Sequence, residues 1–293
     1  MPEKKTILLT GANGFIGSNL YAGLNKRNKV ISLAWPKDST VGRKDVFYAD
    51  LADLAETKKA AVKLSRLKID TLIHTAFILC KAGDWKNFAY LDLNNRITEN
   101  TSWLAEKLGC KLVVNLSSIA VYPNKSGRYD EESEISMSGN TECLYGLAKF
   151  SSEMIFSFIL KDKAEVVNLR LGQVYGPGMQ DDRIIGIFRK ELSEKNTITL
   201  FGRGERCSNF IHIDDIVAGM IKVISKPVSG TYNLGCSSNF TYRQIAGKII
   251  SGLGGKSSKI ILCDKGSSAK AEIVTGKFNR TFGFKARKIN FCY

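Results

Sequence analysis

Tyr145 and Lys149, four positions apart in "TECLYGLAKFSSEM", are the residues of this chain best suited to moving a proton. A spacing of four on a helix places both side chains on one face. The phenol would act as general acid or base, and the ammonium would stabilise its ionised form. In a chain with 10 Tyr and abundant Lys, one such pair arises by coincidence. The elements around it therefore decide its meaning.

Short apolar runs at "TILLT", "VISLA", "TLIHTA", "KLVVNLS" and "EVVNLR" alternate with segments of helical period such as "DLAETKKAAVKLSRL" and "LDLNNRITENTSWLAEKL". Continuous apolar runs mark strands covered on both faces, and strands separated by helices imply parallel crossovers. The fold class expected is α/β, a doubly wound parallel-sheet Rossmann fold with a smaller C-terminal substrate-binding lobe. Residues 1–172, with 209–235 returning to them, are assigned to the dinucleotide-binding part, and 173–208 with 236–293 to the lobe.

The first strand runs into "TGANGFIGSNL", which spaces Gly11, Gly14 and Gly17 as GxxGxxG. Gly11 would make the tight turn, Gly14 would let backbone approach a pyrophosphate, and Gly17 would let the helix pack closely. The diphosphate would then sit at a helix N-terminus. After the second strand, an NAD site would place an acid on the ribose 2'-hydroxyl. Here Ala34 and Trp35 stand in that place, with Lys37 and Arg43 beyond. Either cation could meet a 2'-phosphate, so the cofactor expected is NAD or NADP, with a lean to NADP(H).

Composition limits the remaining classes. At 293 residues, 44% hydrophobic and 24% charged, the chain reads as a folded protein with a large core. No apolar run approaches the roughly 18 residues of a membrane span, and "MPEKKTILLTGANG" has no signal-peptide core, so a cytoplasmic location and no membrane partner are expected. The seven cysteines are odd in number, widely spread and without CxxC, which argues against a disulfide framework or a structural zinc. The net charge of +15 attracts polyanions. It comes without an RNA-binding signature or a basic-aromatic platform, so nucleic acid is not an expected partner.

These residues together resemble the extended short-chain dehydrogenase/reductases, in particular the NAD-dependent epimerase/dehydratase family typified by UDP-galactose 4-epimerase. "TGANGFIGSNL" looks like the family's first loop, "ADL" its adenine contact, "DTLIHTA" its fourth strand, "LDLNNRITEN" its helix asparagine, "NLSSIAVYP" its serine strand and "LYGLAK" its catalytic helix. "LRLGQVYGPG", "NFIHIDDIVAGM" and "GTYNLGCSSNFTYRQIA" follow in family order. The resemblance implies Tyr145 as general acid/base, Lys149 as its partner and Ser118, preferred over Ser117, as the hydroxyl that orients the substrate oxygen. It implies a cofactor held by Gly11, Asn13, Gly14, Phe15, Ile16, Gly17, Lys37, Asp50, Leu51, Thr75, Ala76, Phe77 and Asn94 together with Tyr145 and Lys149. Substrate contacts are expected from Ser118, Gln173, Arg203 and Arg206. A homodimer through the helices near 84–108 and 142–160 is also implied.

The chemistry supports these roles. Hydride transfer between a sugar carbon and nicotinamide must be matched by proton transfer at the attached oxygen. A cation about 4 Å from the phenol, at an effective dielectric near 20, contributes about 4 kcal/mol against about 1.4 kcal/mol per pKa unit. Lys149 and an oxidised nicotinamide would together lower Tyr145 by roughly three units.

Departures from the family narrow the substrate. Ile119 and Ala120 stand where 4,6-dehydratases carry an Asp-Glu pair, which argues against dehydration. Gln173 replaces a common Asn, and Ser208 an Arg that binds diphosphate; Arg203 and Arg206 in "FGRGERCSNF" would substitute, or are solvated loop cations. His74 reads as a core or cofactor-wall histidine and His212 as a structural residue before an acidic helix start. Trp85, Phe88 and Tyr90 wall the substrate mouth or belong to the core. The expected function is oxidation–reduction or epimerisation of a nucleotide-activated sugar, and the chain's ending soon after "FGFKARKINFCY" tilts it to 4-keto reduction. The alternatives are a reductase of a non-nucleotide ketone or aldehyde, and a non-catalytic dinucleotide sensor or nucleic-acid-binding relative.

Overall fold

The computed structural model describes residues 4–35, 45–80, 83–136 and 143–292. Lys37 and Arg43 lie outside the described residues. The chain opens with β1 (Thr6–Thr10), α1 (Phe15–Leu24), β2 (Lys29–Ala34), β3 (Val46–Tyr48), α2 (Leu54–Leu64), β4 (Thr71–His74), α3 (Ala89–Lys107) and β5 (Leu112–Ser118). It continues through β6 (Gly127–Tyr129), α4 (Cys143–Ile159), β7 (Glu165–Leu171), β8 (Gln173–Tyr175), α5 (Ile184–Lys195), β9 (Thr197–Phe201) and β10 (Cys207–His212). It ends with α6 (Ile213–Ser225), β11 (Gly230–Leu234), β12 (Asn239–Thr241), α7 (Tyr242–Leu253), β13 (Lys259–Cys263), β14 (Ala271–Ile273) and α8 (Gly276–Phe282).

Seven strands form one parallel sheet in the order β11-β7-β5-β4-β1-β2-β3. The order reverses between β1 and β4, as in a doubly wound sheet, and ligands bind such folds at the carboxyl ends of the strands there. Each apolar run noted above became one of these strands. Leu8, Ile31, Leu72 and Val113 point to one face and pack with α2, α3 and α4, whereas Ile7, Leu9, Val114 and Leu169 point to the other and pack with α1, α6 and α8. Both faces are dry, which is why the strands read as continuous rather than alternating apolar stretches.

Local signals fix the helix starts. Asp53 caps α2 by accepting from the backbone N–H groups of Ala55 and Glu56. Thr241 and Gln244 form a reciprocal capping box on α7. His212 caps α6, its Nδ1 accepting from Asp214 N at 3.2 Å, with Asp214 and Asp215 in the first turn. That is the structural role its sequence context suggested.

Beyond β7 the smaller elements gather over the carboxyl ends of the main sheet. They comprise a three-stranded sheet, β12-β10-β8, the pair β13-β9, and β14, which pairs with β6 from the earlier part of the chain. A second core of Tyr175, Ile185, Phe188, Ile198, Phe210, Ile249 and Phe291 joins the first two, and Ile273 of β14 packs with Val121, Tyr122 and Tyr129 in a separate cluster. No helix among the described residues is long and apolar enough to cross a membrane.

Candidate active site

The glycine loop begins where β1 ends. Gly11 has φ +65°, and a Cβ there would stand 2.6 Å from Ala76 N. Gly14 caps α1, and a Cβ on it would meet only Gly11 O at 3.5 Å, leaving its other side open. A Cβ on Gly17 would stand 2.1 Å from Gly11 O, so the helix lies directly on the loop. The first turn of α1 carries no acidic residue. Its unpaired N–H groups and positive dipole end therefore suit an anion. Gly17→Ala is expected to overpack this contact by about 1–3 kcal/mol and lower Tm by roughly 3–10 °C, with weaker cofactor binding. Unchanged unfolding and cofactor titration would refute the close-packing role.

The exit of β4 is tied to this loop. Thr10 Oγ1 lies 3.0 Å from His74 Nδ1 and accepts from the backbone N–H of Thr75 (3.2 Å) and Ala76 (3.3 Å), while Thr75 Oγ1 donates to Thr10 O at 2.6 Å. Burial, reinforced by the Lys149 charge, pushes His74 down to about 3. It is thus a neutral, buried residue, packed edge-on against Phe156. One step further, Asn94 clamps the chain: its Oδ1 accepts from Ile78 N at 2.9 Å and its Nδ2 donates to Ile78 O (3.0 Å) and Tyr90 O (2.7 Å). Its amide is committed to backbone, so its first contribution is to shape residues 76–78.

Between the Thr10 tie and the Asn94 clamp stands Phe77, against both members of the opening pair. Its ring meets Tyr145 edge-on at 5.3 Å between centroids, and Lys149 Nζ lies 3.9 Å from its centroid. Lys149 Nζ also donates to Leu116 O at 2.8 Å. Two residues along β5, Ser118 Oγ accepts from Ala120 N at 3.1 Å and starts the short 3-10 turn Ile119–Val121, which packs on α4. Ser117 points elsewhere, buried and 2.5 Å from Glu153 Oε1. The alternation of a strand separates the two serines: Ser117 turns to Glu153 on α4, and Ser118 stands at the carboxyl end of β5, where the α4-packed turn begins.

Lys149 is buried, and burial pulls its pKa down to about 7, with the Glu153 carboxylate opposing. An amine of lowered folded pKa costs stability when charged. The cost is complete below about pH 7, diminishes as pH rises, and disappears above the unfolded value of 10.5. Lys149→Met should therefore raise stability by several kcal/mol near and below neutrality, less about 1 kcal/mol for the orphaned Leu116 carbonyl, while turnover is lost. The gain should shrink with rising pH. Melting curves in which the variant is the less stable protein at pH 6 would contradict this.

Beneath the pair lies a polar network that motif reading missed. Arg170 on β7 makes a forked ion pair with Glu153 (Nη2 2.8 Å, Nε 2.9 Å), both side chains about 5% exposed. Its Nη1 donates to the Tyr122 hydroxyl at 3.0 Å, which lies 2.8 Å from Asn233 Oδ1. Burial opposes the charge on Arg170, but the bonds and charge of Glu153 outweigh it and raise the guanidinium above its usual range. The signal was present: Glu153 is four residues after Lys149, and Arg170 interrupts the apolar run "VVNLRL".

The other expected residues are dispersed. Asp50 Oδ1 accepts from Ala52 N at 2.9 Å at the exit of β3, and Leu51 is buried. Ala34, also buried, ends β2, and Trp35 is half-exposed. Gln173 Nε2 donates to Ser208 Oγ at 3.2 Å, the two strands β8 and β10 running side by side. Arg203 pairs on the surface with Asp264 at 3.6 Å, and Arg206 stands 5.7 Å from the Tyr242 ring centroid. Trp85 and Phe88 are 43% and 65% exposed, so they are not core.

A doubly wound sheet with a glycine cradle at its switch point defines a dinucleotide-binding fold, and Tyr145 and Lys149 stand beside that cradle. The chain belongs to the NAD-dependent epimerase/dehydratase family, whose model matches residues 7–235. It is 25% identical to YtcB of Bacillus subtilis (strain 168), described as an uncharacterized UDP-glucose epimerase, across 88% of this chain and 85% of that one. It is 24% identical to a dTDP-4-dehydro-6-deoxy-D-allose reductase of Streptomyces sp, across 85% and 82%. Among solved structures, MoeE5 in complex with UDP-glucuronic acid and NAD superposes with a TM-score of 0.79 at 23% identity, covering 97% of this chain and 94% of that one.

Proposed function

We propose that this chain is an NAD(P)-dependent enzyme acting on a nucleotide-activated sugar, by 4-keto reduction or by epimerisation through a transient ketone. The observation that carries the reading is the Tyr145-Lys149 pair gathered by Phe77 beside the glycine cradle. In this reading Tyr145 moves the proton at the sugar oxygen, Ser118 orients that oxygen, and Lys149 keeps positive charge beside the phenol. The bound dinucleotide supplies or accepts the hydride. Gly11, Asn13, Gly14, Phe15, Ile16 and Gly17 receive its diphosphate at the α1 N-terminus. Asp50 and Leu51 face its adenine, and Thr75, Ala76 and Phe77 wall its nicotinamide side, with Asn94 holding that wall in place.

NAD is the form named in the MoeE5 complex. The lean toward NADP rests on Lys37 and Arg43 alone, with Ala34 and Trp35 leaving no carboxylate where NAD recognition would place one. Titration with both cofactors decides it. Residues 1–172 with 209–235 serve the cofactor in this account, and 173–208 with 236–293 the substrate, through Gln173, Arg203 and Arg206. A homodimer through α3 and α4 is supported by their side-by-side packing and by Met154 and Phe158, 47% and 81% exposed one turn apart on α4. A cytoplasmic location is part of the same proposal.

A second reading, reduction of a non-nucleotide ketone, is favoured by the half-buried Ser208-Gln173 contact, which puts no cation where a diphosphate would need one. Binding separates the two. With cofactor present, one of UDP, dTDP, GDP or CDP should raise Tm and saturate; indifference to all four would overturn the nucleotide-sugar reading.

A further inference from the structure

The charge of +15 is concentrated on one edge of the fold. In the sheet order β11-β7-β5-β4-β1-β2, the segments that lead into six neighbouring strands lie side by side, at the edge opposite the catalytic residues. In that order they read KPVS (226–229), LKDKAE (160–165), KLGCK (107–111), SRLKID (65–70), KK (4–5) and NKRNK (25–29). Backbone bonds join them: Glu165 N to Lys111 O, Lys111 N to Asp70 O, Asp70 N to Thr6 O and Lys29 N to Lys5 O, all at 2.9 Å. With strands about 4.8 Å apart, the row runs about 24 Å.

Twelve Lys or Arg stand in these segments against three Asp or Glu, which is nine of the fifteen net charges. Every one of the twelve is exposed except the half-buried Lys5. Two of the three acids serve the backbone, Asp70 accepting from Thr6 N at 2.8 Å and Glu165 from Ser229 N at 3.0 Å. Helices α1, α2, α3, α4 and α6 all end at this edge, and cations there complement helix dipoles. That explains about one cation per helix, and the row holds more than twice as many.

We infer that this edge docks the protein onto an anionic lipid surface by diffuse electrostatic attraction. Ten of the twelve cations are Lys, hydrated point charges rather than the guanidinium forks that clamp single phosphates. None of the six segments contains an aromatic ring on which a base could stack. The backbone offers helix carbonyl ends instead of the N–H groups that bind one phosphate tightly. A row of exposed lysines matches an extended surface of negative charge, where each contributes about fivefold to binding. The catalytic residues lie at the opposite edge, so docking leaves them open to a soluble substrate. The expectation of no membrane partner rested on the lack of a span, and the vesicle experiment tests it for surface contact.

Sedimentation of the whole chain with vesicles of phosphatidylcholine, alone or mixed with phosphatidylserine, tests this. Binding is expected only to the mixed vesicles and should fall steeply with salt. Changing Lys26, Arg27, Lys111 and Lys161 to Glu should reduce it by more than about 600-fold, the product of four fivefold losses. The same four changed to Gln should give a smaller loss in the same direction. Changing Lys195, Lys248, Lys256 and Lys265 in the lobe to Glu should alter it only severalfold, and cofactor binding should persist in all three. No binding at low salt, equal loss from edge and lobe variants, or salt-sensitive retention by a single-stranded polynucleotide that the vesicles fail to displace would each overturn the proposal.

Discussion

Tyr145→Phe is expected to lower kcat by at least about a thousandfold while the dissociation constant for the cofactor changes by no more than about threefold. The substitution removes one oxygen and its proton and leaves the ring, so the edge-on contact with Phe77 at 5.3 Å survives. What disappears is the group to which the proposed function assigns the proton exchanged in step with the hydride. Lys149 does not replace it: its Nζ lies against the Phe77 face and Leu116 O, placed to supply charge. Steady-state rates and a cofactor titration on the same preparation check this. Near-normal turnover would remove Tyr145 from the chemistry, and a proportionate loss of cofactor binding would make its role one of binding.

Arg170→Met should be the most destabilising single change in the site's foundations. It leaves the Glu153 carboxylate buried with Ser117 as its remaining close partner, and removing one member of a buried pair costs about 3–5 kcal/mol. A drop in Tm of about 10 °C follows for a chain of this size. The double variant Arg170→Met with Glu153→Met should recover most of the loss, because an apolar replacement of a whole buried pair is close to neutral. The single variant should also weaken catalysis, since Glu153 lies one turn from Lys149 and its charge supports the ammonium. Thermal unfolding of the two singles and the double completes the cycle. A stable single variant, or a double no better than the single, would show that the pair does not organise the base of the site.

The main sheet was legible because five of its strands are apolar on both faces, and the glycine loop because its spacing has one steric use, the contact of Gly17 with Gly11 O. β3 went unread: it is three residues, none of them buried. Ser117 and Ser118 differ in their partners, Glu153 Oε1 for the first and Ala120 N for the second, a difference the sequence alone does not display. Phe77 was named only as cofactor wall. Its place on Tyr145 and Lys149 depends on Asn94 clamping Ile78 from 16 residues away. The Arg170-Glu153 pair needs α4 laid across β7, which no local pattern encodes. The basic edge went unread for a similar reason: each strand entrance contributes one or two lysines, and only the sheet order gathers them.

The central claim is a proton transfer at Tyr145 coupled to hydride transfer on a nucleotide sugar. It is tested most directly by incubating the wild-type protein with UDP-, GDP-, dTDP- and CDP-sugars, with and without a 4-keto group, in the presence of NAD, NADH or NADPH. The account predicts turnover of at least one: net oxidation of reduced cofactor on a 4-keto sugar for a reductase, or an inverted sugar without net cofactor change for an epimerase. A protein that binds cofactor yet transforms none of the panel would contradict it.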